Sequence, residues 1–283
     1  MTELSPPRPS WFRETLTLLR SCWRPVLAIS VVTEAAMLIA GGALLLWFYG
    51  GPGRQFGLDE PLLVAVGYGL PAVLTAACSA WMWAAAVEVF RGVAEGRRVR
   101  IGAALRLGLW QSGRLTLWLA GVGLLRAAGS IYLLYVVLDS AQALGMYRTA
   151  STAVTAGGWY LSFSVALLPL VVLLGRRGPG RAWRLAHSRA ATIGQIIAVL
   201  LFGLAVDEVA DRVLSVVLQV EMRFTLPLAV EVAVDSITGV LVSTVTMAAL
   251  TVAYLRRVAS PAPPAGDPAP GGAEPVVIEL GRA

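Results

Sequence analysis

Apolar residues run through this chain in long blocks separated by short arginine-rich stretches. A helix needs about 20 mostly apolar residues to cross the hydrocarbon core of a bilayer. The runs 25–49, 61–88, 115–138, 153–175, 191–210 and 230–255 reach that length, and each predicts a transmembrane helix. Residues 212–227 read two ways, as a continuation of the fifth helix or as a segment along the interface. Pro71 falls inside the second run, where neighbouring helices can re-satisfy the freed carbonyl, so a kink is expected there. The predicted fold class is an all-α integral membrane protein with six transmembrane helices.

The arginine-rich stretches carry a second periodicity. Phe12, Leu16, Leu19 and Trp23 recur at helical spacing, with Arg13, Thr17, Arg20 and Arg24 on the adjacent stripe. Segments 100–114 and 181–194 repeat the recipe around Arg106 and around Arg181 and Arg184. Three amphipathic cytoplasmic helices are expected to lie in the interface, with Arg20, Arg24, Arg106, Arg181 and Arg184 facing anionic headgroups. Aligning Arg24 with Arg114 places the copies about 90 residues apart, and the third follows near 170, since each interfacial segment precedes two spans. A threefold internal repeat follows from that spacing.

The arginines also orient the chain. Eighteen fall in the N-terminal segment, the second-to-third and fourth-to-fifth connections and the tail. Only Arg54, Arg148 and Arg223 fall on the other side, and Arg126 and Arg212 sit at apparent membrane depth. The positive-inside rule then makes both termini cytoplasmic. Three regions result: 1–24, a cytoplasmic N-terminus with an amphipathic helix; 25–257, the six-span membrane domain; and 258–283, a Pro/Gly/Ala-rich cytoplasmic tail expected to be disordered. The tail includes a β-prone patch at 276–280, either a partner-docking strand or an unused apolar end.

Composition narrows the class. Of 283 residues, 57% are hydrophobic and 14% charged, against about 25% charged in soluble domains. A disordered chain, a disulfide scaffold and an ordinary cytosolic enzyme are excluded. All 23 basic residues are arginine, and both lysine and asparagine are missing. Both types have A-rich codons, so a GC-rich bacterial genome is the simplest source. The bacterial cytoplasmic membrane is the expected location. The N-terminus lacks the apolar core and cleavage site of a signal peptide. Cys22 and Cys78 sit in apolar surroundings and read as buried thiols. Aromatics cluster near span ends (Trp47, Phe48, Tyr49, Trp110, Trp118, Trp159, Tyr160) as interfacial anchors. The net charge of +6 is accounted for by topology and gives no argument for nucleic acid. No nucleophile elbow, zinc motif, phosphate loop or ligand-spaced Cys/His pair occurs, so no metal or cofactor is expected. The single histidine, His187, reads as a headgroup-facing side chain.

The run 165–201 ends an apolar span in a short basic turn and then enters an Arg181-Ala182-Trp183-Arg184-Leu185 helix before the next span. It resembles the membrane domain attached to some glycerophosphoryl diester phosphodiesterases, and related uncharacterised actinobacterial multipass proteins. Leu105, Arg106 and Leu107 echo the motif weakly. The resemblance implies a fold and a membrane context. Catalysis does not carry over, because one histidine cannot build the phosphodiesterase site and no soluble stretch is long enough for that domain.

Ionisable residues within spans are rare enough to be functional candidates. Glu34 lies ten residues past Arg24, roughly 15 Å deep, and Arg126 twelve past Arg114, roughly 18 Å deep. Their matching depths predict a buried Glu34–Arg126 ion pair between the first and third spans, either fixing register or serving a substrate or proton. A second group is acidic: Asp207, Glu208 and Asp211 late in the fifth span, Glu231 and Asp235 early in the sixth. Asp207 and Asp211 share a helix face, as do Glu231 and Asp235, while Glu208 and Arg212 form an i,i+4 pair. This outer cluster reads as a solvated rim, as a cation vestibule, or as acid–base groups. Glu88 lies at the inner rim.

The leading functional expectation is a non-enzymatic scaffold, accessory subunit or regulator of membrane-envelope processes, with anionic lipid and a membrane-protein partner. A transporter or channel component using the buried charges is the alternative. A membrane-embedded lyase or cyclase acting on a lipid-soluble substrate through Asp207, Asp211, Glu231 or Asp235 is the third.

Overall fold

A computed structural model describes residues 10–49, 60–139, 144–175, 177–219 and 226–259. Nearly all of them are helical: α1 (Trp11–Tyr49), α2 (Glu60–Ala94), α3 (Ile101–Gln111), α4 (Gly113–Asp139), α5 (Leu144–Val165), α6 (Leu168–Leu173), α7 (Pro179–His187), α8 (Ala190–Gln219) and α9 (Leu226–Ala259). Six stretches are long and apolar enough to cross a membrane: Trp11–Leu44, Val66–Ala94, Gly113–Leu133, Thr149–Leu173, Ala190–Val213 and Val232–Val258. They follow the six apolar runs in order. The chain is an all-α multipass membrane protein. Residues 212–219 continue α8, while 220–225 and the tail from 260, with its 276–280 patch, lie outside the described residues.

Each span packs on its neighbours in the chain: α1 on α2, α2 on α4, α4 on α5, α8 on α9. Helix α9 returns to α1, and α7 bridges α5 and α8, so the six spans form a ring. Glu14 at the start of α1 meets Arg256 at the end of α9, with Oε2 and Nε 2.6 Å apart. The Trp11 indole N–H also donates to the Ala249 carbonyl at 3.2 Å. These contacts close the ring at the arginine-rich end.

The fourth apolar run is not one helix. It breaks at Ala166–Leu167, and Pro169 sits in the first turn of α6. Proline has no N–H to give to the carbonyl four residues back, and its ring clashes there. The broken segment then packs against α2 and α4, which carries it across the inside of the ring. Leu167, Leu168 and Leu170 are completely buried. Irregular backbone at membrane depth is tolerated where protein surrounds it.

The three arginine-rich segments adopt two arrangements. The second and third are separate short helices, α3 and α7, whereas the first is continuous with its span through Pro25. The Phe12–Leu16–Leu19–Trp23 stripe of that segment does not make its helix contacts. Instead Phe12 is 64% exposed and Trp23 46%, and the buried face is Thr15, Leu18, Cys22, Val26 and Ile29. Lipid is as apolar as leucine, so large apolar side chains gain nothing by turning inward, and small or weakly polar faces make the helix contacts.

Two glycines make the turn from α2 into α3 possible. Gly96 has φ +67° and ends α2 in a Schellman motif, with its N–H on the Val93 carbonyl and the Arg97 N–H on the Gly92 carbonyl. The chain then returns along α2, where the Trp81 indole donates to the Leu105 carbonyl at 2.8 Å. Gly108 lies so close to α2 that a Cβ there would stand 2.7 Å from the Ala85 nitrogen.

Candidate functional site

The polar groups of the spans collect in three places. At the end opposite the arginines, α8 contributes Asp207, Ala210 and Asp211 and α9 contributes Asp235, Thr238 and Gly239 to one open cavity of about 260 Å³. Four-residue spacing puts Asp207 and Asp211 on the same side of α8, one turn apart. The structure thus brings three of the five predicted outer acids together. Glu208 points elsewhere and accepts from Arg212 Nε at 2.8 Å on the exposed side of α8. The Glu231 side chain lies outside the described residues. Among the described residues no three metal-ligating side chains converge on one point. The cavity therefore presents spaced carboxylates, groups that accept hydrogen bonds and attract cations or protons.

The Glu34–Arg126 pair does not form. Among the described residues the ion pairs are Glu88 with Arg91 and Arg97, Glu95 with Arg97, Glu208 with Arg212 and Glu14 with Arg256. The ring order explains the outcome, because α2 lies between α1 and α4. Equal depth left the two residues on different sides of an intervening helix. The guanidinium of Arg126 instead approaches Gly158 of α5, 3.9 Å from where a Cβ would stand. Glu34 is half-buried just past the last buried residue of α1, Thr33. One turn earlier, Ser30 meets Thr244 of α9 through buried hydroxyls 3.4 Å apart.

The arginine-rich end is tightly packed. The crevice left between α1, α2, α6 and α9, lined by Leu18, Phe90, Arg91, Leu174 and Thr251 among others, has a volume of about 20 Å³. That holds about one water molecule. Arg20, Arg24, Arg106, Arg181 and Arg184 point outward or lie partly exposed around this end, and Arg24 stacks on Trp23 with 5.4 Å to the ring centroid. In the α2–α3 turn, Arg97 donates to Glu95 at 2.6 Å, and this carboxylate favours the charged guanidinium, pushing the Arg97 pKa up.

His187 departs from its expected headgroup-facing role. Its ring lies 4.6 Å from Trp183, 5.0 Å from Phe163 and 5.9 Å from Tyr160, centroid to centroid. Nδ1 donates to the Trp183 carbonyl at 2.8 Å, and Nε2 is buried without a hydrogen-bond partner. Trp183 in turn donates to the Tyr160 hydroxyl at 3.2 Å. The histidine pins α7 to α5. Its only sequence signal was the i,i+4 spacing of Trp183 and His187, which does not reveal the partner helix.

No family model matches the chain, and neither a curated protein nor a solved structure matches it.

Proposed function

We propose that the protein is a non-enzymatic scaffold, accessory subunit or regulator in the cytoplasmic membrane of a bacterium, with both termini in the cytoplasm. The observation that carries this reading is the packing of α6 inside the ring at the arginine-rich end, where Leu167, Leu168 and Leu170 are completely buried. A channel needs a continuous water-filled path through that end. The surrounding arginines support a face held against anionic headgroups, at about 1 kcal/mol per residue near the surface. In this reading α3 and α7 are interfacial helices, each burying small residues (Ala104 and Gly108; Ala182 and Ala186) and exposing arginine. The segment layout also favours descent from a threefold repeat and kinship with the membrane domain of glycerophosphoryl diester phosphodiesterases.

Reporter fusions at each terminus and in the loops test the orientation, and periplasmic activity at either terminus overturns it. Reconstituted protein is expected to pass no cations or protons under an imposed gradient. The carboxylate-lined cavity of Asp207, Asp211 and Asp235 favours a second reading, a transporter or channel component that admits a cation from the outer side. Flux in proteoliposomes that Asp211→Asn abolishes in a normally folded protein would establish that reading and displace the first.

A further inference from the structure

Helix α4 meets both of its neighbours through glycines. A Cβ at Gly123 would stand 3.3 Å from the Ala72 carbonyl oxygen of α2, and one at Gly129 would stand 3.1 Å from Val154 Cγ1 of α5. At about 100° per residue, these two contacts divide the surface of α4 into a wide arc and a narrow one. The wide arc carries Leu117, Leu124, Leu125, Ala128 and Tyr132, all exposed, and is the lipid face. The narrow arc carries Leu115, completely buried, and Leu119, packed on the core, so it faces into the ring.

Arg126 and Ser130 stand on the narrow arc too, about three and four turns on from Leu115, and both are exposed. One face of one helix thus passes from dry core to open surface without leaving the inside of the ring. Arg126 lies roughly 20 Å along the helix from Gly113, within the span Gly113–Leu133. A guanidinium in hydrocarbon is costly, and charged side chains inside spans face the bundle interior or a water-filled cavity. Its Nε and Nη2 lie 3.9 Å from the Cβ position of Gly158, so α5 gives it room at that point. None of the ion pairs among the described residues includes it. The guanidinium is a fork of N–H donors that matches the oxygens of carboxylate and phosphate.

We propose that the half of the ring opposite the arginine-rich end is a water-filled vestibule in which Arg126 binds an oxyanion, a phosphate or carboxylate group. Helix α6, packed on α4, forms its floor. A scaffold needs no such ligand, so the vestibule goes beyond the function proposed above and stands or falls apart from it.

The test is thiol labelling of the full chain in phosphatidylcholine vesicles, with small water-soluble thiosulfonates on both sides. Peptide masses separate each new site from Cys22 and Cys78. S130C should label, whereas A128C, at nearly the same depth on the wide arc, should not, because thiolates form in water and not in hydrocarbon. L119C, about two turns from Arg126 towards the arginine-rich end on the narrow arc, should stay unlabelled. Labelling of S130C and A128C alike, or of neither, overturns the vestibule, and labelling of L119C overturns its floor.

Charge is read from the ratio of labelling by an anionic sulfonate reagent to labelling by a cationic ammonium reagent. R126Q should lower that ratio at S130C roughly tenfold, as expected when a cleft loses the charge that concentrates anions. R126K keeps the charge and should keep the ratio. The acids of α8 and α9 act on both reagents in every variant, so the comparison isolates Arg126. Slower S130C labelling in millimolar phosphate or acetate, lost in R126Q, assigns a soluble anion. Slowing only when phosphatidylglycerol is added to the vesicles, again lost in R126Q, assigns a lipid headgroup. A ratio indifferent to R126Q, or no slowing by either source, overturns the anion site.

Discussion

Among the described side chains of α1, the buried ones all lie between Thr15 and Thr33, and from Glu34 to Trp47 none is buried. Helix α2 runs the other way, and its buried residues start at Ala76 and crowd into Trp83–Phe90. The same division holds in α8, buried at Thr192, Ile196 and Val199, and in α9, buried from Val240 onward. Among the described side chains, one half of the ring is a packed core and the other half holds few buried residues. Large apolar side chains such as Ile39, Leu46 and Leu125 are exposed in the less buried half, so apolar character alone does not bring the helices together there. What separates them is directional contact between helices. The arginine-rich half holds the Trp81–Leu105, Trp11–Ala249, Glu14–Arg256 and Ser30–Thr244 links. In the opposite half, Ser236 donates to the Val232 carbonyl and Arg212 to Glu208, both one turn away on the same helix. Apolar surface cannot draw helices together in lipid, so shape and hydrogen bonds decide where they meet.

That contrast can be broken in several ways. The largest effect is expected in the core: Leu170→Ala, at a fully buried position, should cost about 2–5 kcal/mol in denaturant titrations of the detergent-solubilised protein. Ile39→Ala, at a side chain 74% exposed, should stay within about 0.5 kcal/mol. Similar costs at both sites would mean that the open half is packed after all. Glycines give a finer comparison. Gly108→Ala forces a methyl against the α2 backbone and should destabilise by about 1–3 kcal/mol. Gly41, which has nothing within 4 Å of an added Cβ, should gain up to about 1 kcal/mol on conversion to alanine, the difference in helix propensity.

Ion pairs extend the comparison to smaller energies. A double-mutant cycle on Glu14 and Arg256, both partly buried, should yield a coupling of about 1 kcal/mol or less. The exposed Glu208–Arg212 pair should yield a coupling near zero, and raising the salt should leave that cycle unchanged. Smallest of all, Asp211→Asn should raise stability by a few tenths of a kcal/mol at neutral pH, because it relieves repulsion from Asp207 and Asp235 in a solvated cavity. A clear loss on that substitution would show that the carboxylates hold the cavity together.

The candidate sites were legible to different degrees. Asp207 and Asp211 share a face by helical spacing alone, and the short connection from α8 to α9 made an encounter with Asp235 easy to anticipate. Glu34 and Arg126 were not legible in the same way. Counting residues from a basic boundary measures depth, which is one coordinate, and pairing also needs the order of helices around the ring. The apolar stripe at Phe12 says nothing about helix contacts for a related reason: in a membrane such a stripe can face lipid, so it does not mark the contact face. His187 stayed hidden because its partners, Tyr160 and Phe163, belong to another helix.

Six spans, their boundaries to within about six residues except the start of the first, which lies at Trp11 and not at 25, and the grouping of arginines and acids into separate stretches were all determined by the sequence on its own. Hydropathy and charge are local, and the transfer free energies of neighbouring residues add along the chain. Only the tertiary structure decided the ring, the break before Pro169 that carries α6 inside it, and the open half. Those depend on which helix faces which, and lipid leaves that choice to shape and hydrogen bonding between residues far apart in the chain.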